Sequence, residues 1–482
     1  MDDEARETVR GFKKGSTQVP ASAEDMASGA FKQACLSKWA NNIVGNDILG
    51  KEVTRQQVKA VVKMGWRLTW KEQEGKPRKP KARFFGKGFT DHRKVDTYVG
   101  TPPLWVICTM ILFCVSQGYE IDTADVTAAF LTSRDHNVER IGALIPESIP
   151  DLPAKCPFPD VTQKEWEERR RKAAQFKPGK IYLVEMGLYG LPCTAALFDT
   201  KLLSVMTELG FQRLETGLAV KKDDRGSTTA TLLGEKRPAK IRALTSKDVE
   251  LEEGEEGDDH WEGPLRAALG TLQWAVCLNP LRTIWASVAA KSVSKPSRKV
   301  FKGVVRLIDM LKARKEGRWF SSVGDTPHIH CFTDCGRHAA TYTGRMGWLV
   351  RILPGPQGVK VGEDLFENWV LWHTARTTKK ISSGTAGELM AVESCVKKVG
   401  RLIALVGKLW NCQPPVFIHI DCGPVYDQMH SGMADSDHTM QGCLDFCIQE
   451  QKAMGATLWW IPRNLQIANV LTKCTWWGQE LS

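Results

Sequence analysis

The sequence predicts an α/β (α+β) fold, in which mixed sheets alternate with helices, and three observations support this class. The length of 482 residues suggests about three domains. Hydrophobic residues make up 42% and charged residues 25% of the chain, which is ordinary for a globular protein and excludes a mainly disordered or fibrous one. Stretches with β-rich and with helical patterns follow one another on both sides of an acidic block at 248–259.

Charge, cysteines and apolar runs narrow the class of protein. Lys plus Arg number 66 and Asp plus Glu 55, so the net charge of +11 permits a polyanionic partner. None of the 14 cysteines forms a C-x-x-C pair, and the pairs Cys331/Cys335 and Cys443/Cys447 lack further ligands, so no zinc site is predicted. The acidic start is unlike a signal peptide, and the longest apolar run, Leu104–Val115, is shorter than the ~20 residues of a membrane span. We therefore expect a cytoplasmic or nuclear protein with no membrane partner.

The first half of the chain contains helical and strand patterns in turn. Residues 1–60 are predicted to form a loose polar arm, and residues 61–215 an α/β unit. The predicted elements are a short helix near Phe31–Asn41, strands at 61–70 and 82–89 that pair across the basic turn Lys76–Lys81, a buried helix at 103–117, an alternating strand at Tyr119–Val126, a solvated helix within 164–180 and a helix at 195–209.

A charged linker divides this half from the next. Residues 248–259 hold eight acidic residues in twelve positions, which is typical of a solvated linker, and we assign 216–262 to it. A helical connection is predicted at 263–320 and a final domain at 321–482. The predicted elements are helices at 264–278, 282–291 and 299–315, strands at 328–334, 347–353 and 369–374, a helix at 386–409, a strand at 416–421, a helix at 436–454 and a strand at 457–461.

Three acidic residues of the final domain occupy positions from which their side chains can converge. Asp334 and Asp421 each end a predicted strand, and Glu388 lies in the first turn of a predicted helix. Carboxylates provide the oxygen ligands that Mg²⁺ prefers, and two such ions can hold the attacking and leaving oxygens of a phosphodiester. The alternative is three unrelated surface acids, because an Asp at a strand end is common.

Short motifs surround these acids in a fixed order. They are Phe332-Thr333-Asp334, Gly344-Arg345-Met346-Gly347-Trp348, Trp372-His373-Thr374, Ser382-Ser383-Gly384-Thr385-Ala386-Gly387-Glu388, Ile420-Asp421, Trp460-Ile461-Pro462 and Leu465 to Lys473. The ordered set resembles the ribonuclease H domain of copia-type LTR retrotransposon Pol polyproteins. The resemblance implies a ribonuclease H-like mixed sheet with flanking helices and cleavage of RNA in RNA–DNA hybrids. It also implies Mg²⁺ or Mn²⁺ as cofactor, with Asp334, Glu388 and Asp421 as metal ligands.

One position departs from this pattern. The family has Asp where this chain has Asn469, and a neutral amide oxygen binds a divalent cation more weakly than a carboxylate does. The resemblance implies that this position helps to hold the metal that activates the attacking water. We therefore expect Asn469 to be a defective fourth catalytic position and cleavage to be weakened. The alternative is that Asn469 is an ordinary solvated polar residue.

Upstream motifs resemble the reverse transcriptase of the same polyproteins. They are Lys81 to Phe89, Asp125 to Leu131, Leu188 to Leu191 and Leu209 to Phe211. The resemblance implies a fingers and palm remnant in which Asp125 is a metal ligand and Phe130 screens the 2′-hydroxyl of the sugar. The implied nucleotide-binding set is Lys81, Arg83, Phe130, Tyr189 and Gly190. On the residues alone, the bases equally suit an exposed strand edge, and Asp125 an ordinary strand-to-helix junction.

The paired catalytic carboxylates of the family's polymerase are the main departure in this half. The adjacent pair Asp223-Asp224 has charged flanks, which suit the turn that precedes the catalytic hairpin better than the hairpin itself. The segment up to residue 262 is too short for the hairpin, the rest of the palm and a thumb, so a deletion is the simplest account. Because a polymerase needs two fixed ions, we expect its activity to be lost.

Three functions follow, and the first is a Pol fragment with weakened ribonuclease H activity. The second is a catalytically inactive remnant that binds nucleic acid. The third is an active polymerase that uses Asp125 with Asp223 and Asp224. The partner is an RNA–DNA hybrid or another nucleic acid in each case, and no oligomeric state is predicted.

Overall fold

The computed structural model describes most of the chain. The described residues are 18–73, 76–122, 124, 126–223, 228–232, 262–276, 283–291, 293, 296, 298–313, 319–338, 342–357, 367–377, 380–435 and 437–473. The fold class predicted from the sequence is confirmed, because mixed sheets and helices alternate in both halves. The acidic block at 248–259 lies outside the described residues, and the predicted domain boundaries stay predictions.

The N-terminal half contains nine strands and five α-helices within the described residues. They are β1 (Gln18–Pro20), α1 (Ala23–Ala27), α2 (Lys32–Ser37), a π-helix (Lys38–Val44), β2 (Leu49–Glu52), β3 (Ala60–Gln73), β4 (Lys76–Gly86), α3 (Leu104–Gln117), β5 (Ile141–Leu144), α4 (Gln163–Ala173), β6 (Ile181–Val184), α5 (Thr194–Glu208), β7 (Gln212–Glu215), β8 (Leu218–Lys222) and β9 (Thr228–Leu232). Short 3₁₀ turns lie at Arg55–Gln57, Gly88–Thr90 and Ala129–Thr132.

The C-terminal half begins with three helices and continues as a sheet with flanking helices. Its elements are α6 (Glu262–Val276), α7 (Thr283–Lys291), α8 (Arg298–Ala313), β10 (His328–His338), β11 (Thr343–Leu353), β12 (Trp369–Arg376), α9 (Gly384–Trp410), β13 (Val416–Ile420), α10 (Gly423–Ser431), α11 (Gln441–Ala453) and β14 (Thr457–Trp460). Three 3₁₀ turns lie at His438–Met440, Arg463–Leu465 and Ile467–Leu471.

The first sheet contains six strands in the order β1-β3-β5-β6-β2, with β4 paired to β3. The predicted pairing of the strands at 61–70 and 82–89 is confirmed, because β3 pairs with β4. The basic run Lys76–Lys81, which the sequence suggested as a turn, belongs to β4 itself. The register places Arg67 directly opposite Arg83 and Lys71 opposite Lys79. Like charges in directly opposed positions repel each other, so this face of the β3/β4 hairpin is a concentrated positive surface.

The second large sheet has the order β12-β11-β10-β13-β14. Strands β10, β11 and β12 are antiparallel, whereas β13 and β14 run parallel to β10. The prediction that the long helix packs Leu389, Val392 and Val396 on this sheet is confirmed, because all three lie in one buried cluster with core residues of the strands. The sheet and α9 together form the frame that positions the acidic residues described below.

Helix α3 confirms the predicted buried helix and packs on the C-terminal sheet. It is apolar on all sides, as expected for a helix with two buried faces. One face places Cys108 and Leu112 in the same cluster as the β10–β14 sheet and α9. The other packs Phe113 edge-on against Trp410, at 4.8 Å between ring centroids, in a cluster that includes Leu218 of β8. The helix thus joins the three-stranded β7–β9 sheet to the C-terminal unit.

Polar contacts reinforce this junction. The Ser116 hydroxyl accepts a hydrogen bond of 3.0 Å from the backbone N–H of Val323. The Arg401 guanidinium pairs with Glu215 of β7, and its Nε–Oε2 distance is 3.1 Å. Polar contacts of this kind orient the joined elements, whereas the apolar contacts of α3 contribute most of the stabilisation.

The predicted strand at Tyr119–Val126 is wrong for the residues described there. Helix α3 ends in a left-handed Gly118, after which the chain is irregular at 119–122, 124 and 126. The alternating pattern has no strand beside it in the described part of the chain, so Ile121 remains 60% and Val126 52% exposed. Alternation predicts a strand only where a partner is present to receive its hydrogen bonds.

No helix among the described residues is long and apolar enough to cross a bilayer.

We expect Leu112→Ala to lower the free energy of unfolding by about 2–5 kcal/mol, because it leaves a cavity in the core shared with the C-terminal sheet. The matched control is Val115→Ala, which changes a 41% exposed position of the same helix. Denaturant unfolding followed by tryptophan fluorescence measures both. Equal effects of the two substitutions would show that α3 does not belong to this core.

Candidate metal centre

Asp334 lies in the middle of β10 rather than at its end. The sequence predicted a strand that stops at Asp334, but antiparallel pairing with β11 continues to His338. The Asp334 side chain is only 4% exposed, and its Oδ2 accepts a hydrogen bond from the Thr472 hydroxyl. Thr472 follows the last 3₁₀ turn, so this contact ties the C-terminal segment to the centre of the sheet.

Glu388 and Asp421 approach from two other elements. Helix α9 is capped by Ser383, whose Oγ accepts from the backbone N–H of Ala386 at 3.0 Å. Glu388 therefore lies just after the first turn of this helix, slightly further in than predicted. Asp421 directly follows β13, whereas the sequence predicted it as the last residue of that strand.

The three carboxylates converge as the sequence analysis expected. One ligand oxygen from each of Asp334, Glu388 and Asp421 lies within 4.8 Å of the other two. They line a cavity of about 690 Å³. Glu388 Oε2 and Asp421 Oδ1 are buried and have no hydrogen-bond partner in the described part of the chain. A buried carboxylate oxygen without a donor is costly, so this arrangement favours a positively charged occupant.

The electrostatics of the site favour the same conclusion. Burial and the nearby Asp334 and Asp421 charges raise the pKa of Glu388 to about 9. Burial, followed by the Asp334 charge, also raises the pKa of Asp421. Both shifts arise because the groups are partly buried and because the negative charges of the neighbouring carboxylates lie close by.

The donor set fits a hard divalent cation. Three carboxylates are the oxygen ligands that Mg²⁺ and Mn²⁺ prefer, and they carry enough negative charge to offset such an ion. Two thiols, Cys335 and Cys422, also line the cavity. Burial raises the pKa of Cys335 to about 12 and also raises that of Cys422, so both stay protonated and are poor ligands at neutral pH.

Glycines permit the close approach of the elements that carry these acids. A Cβ at Gly387 would lie 2.7 Å from the Cys335 Sγ of β10, and one at Gly347 would lie 2.7 Å from Leu471 Cβ. Helix α9 and the last 3₁₀ turn can therefore approach the sheet only because these positions carry no side chain. The sequence showed both glycines within motifs, but nothing in their spacing indicated this packing role.

A ring of basic side chains surrounds the acidic centre. The residues that line the cavity include Arg337, Arg345, Arg376, Arg463 and Lys473. Arg345 also donates a 2.9 Å hydrogen bond to Ser287 of α7. Sequence reasoning missed this ring, because its members come from three strands and two turns that are distant in the sequence. The only sign of this ring in the sequence was the excess of Lys and Arg over Asp and Glu in the whole chain.

Asn469 has the hydrogen bonds of a structural residue. It lies in the 3₁₀ turn Ile467–Leu471, and its Nδ2 donates to the carbonyls of Arg463 and Gln466 at 3.1 and 2.9 Å. Its Oδ1 accepts from the Lys473 ammonium. The weakened fourth position expected from the sequence thus stays a prediction, but its amide is engaged by the turn and by Lys473.

The five residues predicted to bind nucleotide lie together. Lys81, Arg83, Phe130, Tyr189 and Gly190 all line a second cavity, of about 550 Å³, in the N-terminal half. The other basic residues that line it are Lys38 and Arg67. Burial, with the charges of Arg83, Lys71 and Lys38, lowers the pKa of Lys81. The rings of Phe130 and Tyr189 meet edge-on at 5.9 Å.

The carboxylates predicted for a polymerase are only partly described. Asp125 and Asp224 lie outside the described residues. Asp223 directly follows β8 of the three-stranded β7–β9 sheet, which is separate from the six-stranded sheet. The polymerase site of Asp125 with Asp223 and Asp224 therefore stays a prediction.

No family model matches the chain, and no curated protein matches it. Solved structures with a similar arrangement include the N-terminal RNase H domain of a Mycobacterium tuberculosis protein, fused to maltose-binding protein, at 10% identity. They also include RNase H1 from the halophilic archaeon Halobacterium salinarum, at 11% identity, and LC11-RNase H1 in complex with an RNA/DNA hybrid, at 15% identity. Each alignment covers 30% of this chain and 91%, 94% and 93% of the neighbour, respectively, with a TM-score of 0.23. Similarity this low assigns no function.

We expect Glu388→Gln to stabilise the protein in EDTA at pH 8 and to weaken the pH dependence of its stability. In the unfolded chain Glu388 ionises near the ordinary value of 4.5, whereas the folded protein, in which its pKa is raised, holds the proton up to about 9. Between these pH values the folded state binds more protons, so the free energy of unfolding falls as the pH rises. The gain at pH 8 should be on the order of a few kcal/mol.

Thermal unfolding of the two proteins between pH 5 and pH 9 measures this effect. The control is Glu120→Gln, at an exposed position. A Glu388→Gln protein with the parent's pH dependence would contradict the assignment of a raised pKa.

Proposed function

We propose that the chain hydrolyses phosphodiester bonds of the RNA strand in RNA–DNA hybrids, with a divalent cation held by Asp334, Glu388 and Asp421. The observation that carries the proposal is the convergence of these carboxylates within 4.8 Å, with two buried oxygens that have no donor among the described residues. The activity is of the ribonuclease H type, in agreement with the order of the sequence motifs.

The residues of the site have different roles in this reaction. Asp334, Glu388 and Asp421 hold the cation, and the chemistry that a bound divalent cation supplies is polarisation of the scissile phosphate and activation of water. Thr472 orients Asp334 through its hydroxyl. Glu388 holds a proton at neutral pH because burial and the charges of Asp334 and Asp421 raise its pKa, and a bound cation would favour its ionised form.

The basic ring binds the substrate backbone. Arg337, Arg345 and Arg463 line the cavity beside the carboxylates and offer guanidinium donors that suit phosphate oxygens. A nucleic-acid backbone brings its phosphates into this ring while the scissile group meets the acidic centre. The alternation of anionic centre and cationic rim distinguishes this cleft from a calcium-binding acidic patch, which has no need of arginines.

A second function, binding of nucleic acid in the N-terminal half, is supported by a separate observation. The cavity that contains Lys81 and Arg83 is also lined by Lys38 and Arg67, and none of the described residues that line it is acidic. The opposed pairs Arg67–Arg83 and Lys71–Lys79 repel each other until an anion lies between them. We infer that this face binds phosphates. The loss of polymerase activity stays a prediction.

The full chain should cut the RNA strand of a labelled RNA–DNA hybrid in Mg²⁺ or Mn²⁺, and Asp421→Asn should reduce the rate at least about 100-fold, since a metal ligand is removed. The matched control is Asp427→Asn, which removes an exposed Asp of α10 and should leave the rate unchanged. Gel analysis of products over time measures both. Cutting that persists in EDTA or in Asp421→Asn would contradict the proposal.

Lys81→Gln with Arg83→Gln should weaken retention of an RNA–DNA hybrid and reduce the slope of log affinity against log salt by about 0.7–0.9 for each phosphate that the variant no longer neutralises. The full chain and a charge-matched variant at exposed sites, Lys164→Gln with Lys408→Gln, are compared by fluorescence anisotropy from 50 mM to 200 mM salt. An unchanged slope in the Lys81/Arg83 variant would remove the phosphate-binding role and leave the strand-edge interpretation.

A further inference from the structure

The amide of Asn469 has a fixed orientation. Its Nδ2 donates to two backbone carbonyls, those of Arg463 and Gln466. Since only the nitrogen of an amide can donate, these two bonds determine that the oxygen faces the other way. That oxygen accepts from the ammonium of Lys473, one helical turn further along the chain. Asn469 therefore presents its oxygen to a cation that the chain itself supplies.

Lys473 is part of the carboxylate cavity. It lines the same cavity as Asp334, Glu388 and Asp421, and its charge acts on both Glu388 and Asp421. Its backbone is held as well, because its N–H donates to the Asn469 carbonyl at 3.1 Å. The ammonium is thus anchored at its base by the turn and at its tip by the amide oxygen.

The charge balance of the cavity indicates what this ammonium does. A site for two divalent cations needs ligands on both ions, which lie about 3.5–4 Å apart. Here three carboxylates supply three negative charges, and the fourth position is neutral. One divalent cation and the Lys473 ammonium balance the three carboxylates, whereas a second divalent cation would add two more positive charges beside Lys473 and the arginines that line the cavity.

We propose that the Lys473 ammonium, positioned by Asn469, takes the place of a second divalent cation, so that Asp334, Glu388 and Asp421 bind a single Mg²⁺ or Mn²⁺. The inference rests on the proposed metal-dependent function and specifies how many ions that function uses. It has a consequence for repair of the fourth position. Asn469→Asp alone creates an ion pair with Lys473 and not a second metal site, so a second ion requires the removal of Lys473 as well.

The number of Mn²⁺ ions bound by the full chain tests this inference. Titration followed by electron paramagnetic resonance of free Mn²⁺ should give one ion for the parent, one for Asn469→Asp and two for Asn469→Asp with Lys473→Met. Lys473→Met alone should still bind one ion, severalfold more tightly, because a like charge has been removed. The control is Lys408→Met, at an exposed lysine in the last turn of α9, which should behave as the parent.

The outcomes separate this inference from the function on which it rests. Two ions in the parent, two in Asn469→Asp alone, or one in the double variant would overturn the role of Lys473 and leave the metal centre intact. No bound ion in the parent, or binding unchanged by Asp421→Asn, would overturn the metal centre and the inference with it. Circular dichroism shows in each case that the variant is folded.

Discussion

Repulsion among three carboxylates, one buried and two half-buried, is the constraint on which the C-terminal half depends. Oxygens of Asp334, Glu388 and Asp421 lie within 4.8 Å of one another, and the fold holds them there although their charges oppose it. The parallel pairing of β10 with β13 and the packing of α9 on the sheet provide the force that keeps them together. Such an arrangement lowers the stability of the protein, but it also creates a site that attracts a cation strongly.

Basic side chains surround this centre. Lys473 acts directly on the carboxylates, whereas arginines such as Arg337 and Arg463 form the wall of the cleft. The Lys473 charge moderates the repulsion, and the arginines suit a polyanion. Part of the modest excess of basic residues in the chain therefore lies at two places, around one acidic cluster and along the β3/β4 hairpin.

Much of the site could be predicted from the sequence, because strand-end and helix-start acids within ordered motifs report local structure. Asp421 and Glu388 needed only the pattern of their own elements. Asp334 was predicted to end its strand, but pairing with β11 extends the strand to His338. Long-range features could not be predicted: helix α3 is apolar all round, so its sequence does not say that it packs on the C-terminal sheet. The alternation at 119–126 likewise could not reveal that no partner strand accompanies its described residues.

The most direct test of the metal centre is a crystal of the full chain grown with Mn²⁺ and measured at a wavelength that gives its anomalous signal. We expect one strong anomalous peak among the carboxylates of Asp334, Glu388 and Asp421, with the Lys473 ammonium beside it. A cavity without a peak, with peaks only elsewhere on the protein, would show that these carboxylates form no metal centre.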